Sequence, residues 1–225
     1  MRNQKVNPNF RKPLEKLEEE IGTRLITNTR KPSIVIPLRG IEKINSISVF
    51  SKGVFERLLR KVPLKNQDEF PYLDAKIKVY KISPRGARTG QRFVSKEKIN
   101  GLMKGLEKRI FRDYFIEGFS GIPPIIVKGI NQEGEDAVSF YSPPIIEVAN
   151  GEGVFLDGAH RGYIAEITGT SIYAVHIFGV TSPLPFMPID WDEVKLIKGK
   201  LPIEQRYKDL RKEYFRDLST IGIDG

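Results

Sequence analysis

Asp157-Gly158-Ala159-His160-Arg161 is the stretch of this sequence whose residue types and order can do chemistry. Apolar "GVFL" precedes it and "HRGYIAEITG" follows, so the chain is expected to pass here from a buried strand into a short helix. The first amides of a helix lack intrahelical acceptors and carry the positive end of the peptide dipole, so an anion fits at such a turn. Gly158 allows close approach to the backbone, and Ala159 adds no bulk. His160 and Arg161 bring a ring donor and a planar guanidinium to the same edge. Asp157 can cap the helix, orient His160 or help hold a magnesium ion. The plainer reading makes Asp-Gly a tight turn and Arg161 a partner in a surface ion pair.

Other polar residues offer less. Arg85, Arg88 and Arg92 lie in the basic loop "SPRGARTGQR", which has turn residues and no evident apolar anchor, and they can reach phosphates or equally be solvated. Glu97 and Glu166 are the nearest carboxylates for a general base, but both fall on expected helices, where an exposed glutamate is the default. His176 sits among apolar neighbours in "YAVHIFG" and reads as a satisfied core histidine. With two histidines and no cysteine, a transition-metal site has little to build from, and disulfides and thiol nucleophiles are excluded. Neither a P-loop nor a Gly-x-Ser-x-Gly elbow nor a dinucleotide fingerprint occurs.

The elements that must position the turn follow from periodicity. "IKVYKI" reads as a strand, and Ser95 caps a helix with Ile99, Leu102, Met103, Leu106 and Ile110 on one face. "IPPIIVKGI" and "SPPIIEVANGEGVFLDG" are strands opened by prolines, and Asn150-Gly151 marks a hairpin. After the turn, Ile164, Ala165 and Ile167 are expected to face inward, Gly169 closes the helix, and "SIYAVHIFGV" returns as a strand. Before this region, "PLEKLEEEIGTRLI" and "FSKGVFERLLRKV" read as amphipathic helices flanking a strand in "PSIVIPLRG". Beyond it, a proline-rich segment leads to a helix over "LPIEQRYKDLRKEYFRDL", with Ile203, Tyr207, Leu210, Tyr214 and Leu218 on one face. Strands interleaved with single helices predict a mixed α/β (α+β) fold with a small mixed sheet. The expected boundaries are an N-terminal extension over 1–75, a core over 76–180 and a C-terminal extension with one helix over 181–225.

At +9 net charge the chain suits polyanionic partners such as nucleotides or nucleic acid, although the lysines and arginines are spread rather than clustered. No apolar run approaches the length of a membrane span, and the charged start lacks an apolar leader, which predicts a cytoplasmic protein with no membrane partner. Oligomeric state is not legible.

"GEGVFLDGAHRGYIAEITGTSIYAVHI" resembles the strand, Gly-x-His-Arg turn and helix of the ParB/sulfiredoxin superfamily, whose members carry forms such as Gly-Glu-Arg-Arg, Gly-Gly-Cys-His-Arg and Asp-Gly-His-His-Arg. "IKVYKISPRGARTGQRFVSKEKINGLMKGLEKRI" is similar to that superfamily's opening strand, polar loop and first helix, so the resemblance covers about residues 76–180. Either "PPIIVKG" or "PPIIEVA" can match the strand after the first helix, the stretch between them being an insertion. The resemblance implies a turn that binds nucleotide phosphates through Gly158, His160 and Arg161, with Asp157 matching the Asp-Gly forms. Three departures bear on activity. Ala159 occupies the place of the sulfiredoxin cysteine, which removes sulfinate reduction. No helix-turn-helix follows Val180, which argues against centromere binding. "ARTGQRF" lacks the glutamate of the free serine kinases, the type closest in motif.

The expectation is therefore a protein that binds ATP, ADP or CTP with Mg²⁺, as a kinase-like phosphotransferase or nucleotide hydrolase. Asp157 and His160 take the catalytic roles, Asp157 assists the metal, and Gly158, Ala159, His160, Arg161, Arg88 and Arg92 hold phosphate. The alternative is a DNA- or RNA-binding relative of the nuclease-annotated type that works through its basic surface. A third possibility is an interaction module that keeps the turn without its ligand.

Overall fold

The computed structural model describes residues 11–26, 32–107 and 122–223. Along the chain run β1 (Lys12–Pro13), α1 (Leu14–Ile21), β2 (Ile34–Val35), β3 (Ile41–Val49), α2 (Lys52–Arg60), β4 (Lys76–Ile82) and β5 (Ala87–Thr89). Then come β6 (Phe93–Ser95), α3 (Lys96–Glu107), β7 (Ile125–Asn131), β8 (Asp136–Tyr141), β9 (Ile145–Ala149) and β10 (Glu152–Asp157). Last are α4 (Ala159–Ile167), β11 (Ile172–Phe178), β12 (Lys195–Ile197) and α5 (Ile203–Arg206). The chain is α+β, as its alternating periodicities predict. Position Ile110 lies outside the described residues. No helix among those described is long and apolar enough to cross a membrane.

Two compact units share the chain: residues 1–73, 124–142 and 216–225 form the first, and residues 74–123 and 143–215 the second. The expected boundaries after 75 and 180 run differently, since 181–215 belongs with the second unit and 124–142 with the first.

In the first unit, five strands pair in the order β1-β2-β8-β7-β3. Leu14, Leu17 and Ile21 bury one face of α1, and Phe55, Leu58 and Leu59 bury one face of α2. The 3.6-residue spacing of these side chains is what makes both segments helical. Glycine ends α1 because Gly22 adopts φ 65. Glu18 is buried, and its Oε1 accepts the amides of Leu25 and Ile26 at 2.7 and 3.1 Å.

In the second unit the order is β4-β11-β9-β10-β5, with β12 and β6 as a separate parallel pair. β9 pairs in parallel with β11 and antiparallel with β10, so "IIEVA" is the central strand here, while "IIVKG" pairs with β3 and β8 in the first unit. Asn150 and Gly151, at φ 52 and 84, make the β9–β10 hairpin as their sequence predicts. Phe155, Ile146, Ala174 and Ala87 pack with Trp191, whose indole N–H donates to the carbonyls of Pro84 and Ala87 at 3.0 and 2.9 Å. This bond anchors the segment after β11 into the core.

Three local expectations are corrected. The basic loop holds an anchored strand, because β5 pairs in parallel with β10 and buries Ala87 and Thr89. Ile167 is 61% exposed, as the last residue of α4. The long C-terminal helix is instead the four-residue α5. Beyond it Tyr207 stacks on Phe186 at 4.9 Å and meets Phe215 edge-on at 5.4 Å. Gln91 and Tyr207 also form an antiparallel bridge, and Asp209 has φ 51, so burial of aromatic rings outweighs the helical spacing.

Candidate functional site

The turn forms because β10 ends on Asp157 with a register irregularity against β9, and Gly158 then takes φ 78. A Cβ there would stand 2.7 Å from Pro144, so conformation and space both require glycine. Ala159 is buried at the start of α4, and Gly162 one turn on leaves room for the Trp191 ring, which an added Cβ would meet at 2.8 Å.

His160 Nε2 accepts the backbone N–H of Ser95 at 3.1 Å. Ser95 is also the N-cap of α3, its hydroxyl accepting the Lys98 amide at 3.3 Å. Thus the N-termini of α3 and α4 meet at His160, and both present the positive ends of their dipoles. Accepting at Nε2 fixes the imidazole proton on Nδ1. Burial, followed by the charges of Lys98, Arg206 and Arg161, pushes this histidine down to about 4, so it is neutral at pH 7.

Arg161 and Asp157 are both largely buried and pair at 2.9 Å across one helical turn. The aspartate therefore orients the guanidinium and offsets one of three cations acting on His160. Tyr207 completes this cluster. Its phenol pKa is raised chiefly by burial, with a further push from Asp157, against the opposing effects of Arg206 and of the Gln91 hydrogen bond. Gln91 Nε2 donates to that phenol oxygen at 3.1 Å, while Gln91 Oε1 and Arg206 Nε are buried without a hydrogen-bond partner.

Among the residues singled out in the sequence, Asp157, Gly158, Ala159, His160 and Arg161 therefore stand together. Arg88 does not join them: it bonds Asp190 at 3.1 Å and lies 3.7 Å from Glu152, at the opposite end of β10 from the turn. The Arg92 side chain lies over the Phe93 ring, while its amide bonds the Arg206 carbonyl at 2.8 Å and so holds the Arg206 segment in place. Glu166 pairs with Arg85 at 2.6 Å. Glu97 accepts the Ser95 hydroxyl and the Gly199 amide at 2.8 Å each, and these bonds lower its pKa. His176 is buried as expected but not satisfied: it stacks on Tyr80 at 3.9 Å, its Nε2 has no partner, and burial lowers its pKa to about 4.

Lys98, Arg206, Tyr207 and Gln91 were not read from the sequence as site residues. Gln91 had a usable signal, standing beside Arg92 in the polar loop; Arg206 and Tyr207 were hidden inside an apparent helical repeat.

For a resident cation the donor set is thin. No group of three or more His, Cys, Asp or Glu suited to a metal occurs among the described residues, and Asp157 already holds a guanidinium. One paired carboxylate does not make a magnesium site, so no step is routed through a metal. No protein-family model, curated protein or solved structure matches the chain.

Proposed function

We propose that the second unit binds a nucleotide, with the phosphate at the Asp157–Arg161 turn. The observation that carries this reading is the meeting of two helix N-termini at a neutral His160, which accepts the Ser95 amide at 3.1 Å and feels the charges of Lys98, Arg206 and Arg161. Cations that act together on one neutral imidazole favour an anion among them. The turn supplies donors of the kind a phosphate needs: first-turn amides of α4, the His160 Nδ1–H and the Arg206 Nε–H. In a phosphoryl transfer or hydrolysis these groups would stabilise the phosphoryl oxygens. With Nε2 held by Ser95, His160 serves as donor rather than general base.

Titration calorimetry with ATP, ADP, CTP and inorganic phosphate tests the reading. Wild type is expected to bind at least one nucleotide, and Lys98→Ala/Arg206→Ala to lose tenfold or more in affinity, as expected for charge-assisted bonds of about 1.5–3 kcal/mol. Equal binding by both proteins would overturn the assignment. The net charge of +9 favours a second reading, nucleic-acid binding through the surface. That mode would ignore the double substitution and lose affinity with salt at a log-log slope of about −0.9 per phosphate contacted.

A further inference from the structure

Gln91 Oε1 and Arg206 Nε are one acceptor and one donor, each buried and unpartnered, carried by segments that pair with each other. The Arg92 amide bonds the Arg206 carbonyl, and Gln91 bridges Tyr207, so the two side chains issue from neighbouring positions. Both lie beside the strand that leads into the turn: Thr89, two residues before Gln91, pairs with Phe155 of β10, Tyr207 packs with Val154 and Leu156, and the Arg206 charge acts on His160. An unmatched buried donor beside cations calls for an anion, but an unmatched buried acceptor calls for a hydrogen-bond donor on the ligand. The oxygens of a fully ionised phosphate ester cannot supply one.

We infer, resting on the phosphate reading above, that the ligand is a phosphate ester with a free hydroxyl near its phosphate, Arg206 holding the phosphate and Gln91 Oε1 accepting the hydroxyl. Tyr207 positions the amide. Its ring is fixed between Phe186 and Phe215, and its oxygen takes the amide N–H, which leaves Oε1 directed at the ligand. A ribonucleotide and a sugar phosphate share this chemistry.

The test compares ATP, 2′,3′-dideoxy-ATP, ribose 5-phosphate and inorganic phosphate by titration calorimetry on wild type, Gln91→Leu and Tyr207→Phe, each checked for folding by circular dichroism. Wild type should prefer ATP over its dideoxy analogue by tenfold or more, because the analogue leaves the acceptor unmatched. Gln91→Leu should bring that ratio to about one while keeping wild-type affinity for inorganic phosphate, and Tyr207→Phe should narrow the ratio. Ribose 5-phosphate binding as tightly as ATP would identify a sugar phosphate; much weaker binding would identify a nucleotide. A wild-type ratio near one, or a ratio untouched in Gln91→Leu, would overturn the hydroxyl assignment and leave the phosphate site standing. So would an equal loss of inorganic phosphate and ATP in Gln91→Leu, since the amide would then be a donor to the anion. Failure of every phosphate compound to bind wild type would overturn the phosphate reading itself.

Discussion

Buried polar groups are left unmatched more often in the second unit than in the first. In the first, Glu18 receives two backbone amides, and Asn131 and Glu135 exchange a side-chain and a backbone bond at 2.8 Å each across the β7–β8 turn. These bonds hold architecture, joining each side chain to neighbouring backbone or side-chain groups of the same unit. In the second, Gln91 Oε1, Arg206 Nε and His176 Nε2 are buried unmatched, and cations press on a neutral histidine. An unmatched buried polar atom typically costs about 1–3 kcal/mol. Among the described residues the first unit leaves one buried side-chain polar atom unmatched, Ser139 Oγ in β8, and the second leaves three, two of which lie around one turn.

The sharpest way to break the comparison is Gly158→Ala. A left-handed backbone and a collision with Pro144 should together cost about 3 kcal/mol, read as a lower urea midpoint by Trp191 fluorescence. An unchanged midpoint would show that the turn is not held as described. Next, Glu18→Ala should cost about 2 kcal/mol by leaving two buried amides without an acceptor, while nucleotide affinity stays as in wild type. Lost affinity in that variant would contradict the division of labour between the units.

The histidines supply a smaller and pH-dependent effect. Each is held near 4 in the folded chain against 6.5 when free, so the unfolded state binds more protons between those values. Their stabilising contribution is complete above about pH 6.5 and is lost as the pH falls towards 4. His176→Phe should flatten this part of the stability profile, whereas an identical slope would mean that the ring is not desolvated in the folded chain.

What the sequence made legible was local. Asn150-Gly151 named its own hairpin because both residues tolerate positive φ, and Asp157 to Arg161 announced a strand-to-helix turn through residue types alone. What it concealed depended on partners distant in the chain. "PPIIVKG" and "PPIIEVA" are nearly the same string, yet the strands that flank them place one in each unit. Ile203, Tyr207, Leu210 and Tyr214 keep a helical spacing, but stacking on Phe186 draws Tyr207 into an extended segment and brings Arg206 to the turn. The candidate site was half visible for the same reason: its local half follows from the motif, and its other half arrives from residues 91, 98, 206 and 207.

With only two histidines in the chain, imidazole nitrogen NMR reports on the turn directly. At pH 7 His160 should be neutral with its proton on Nδ1, and addition of ATP should shift its signals while those of His176 stay in place. Unmoved His160 signals at an ATP concentration that saturates binding would contradict a phosphate site at the turn.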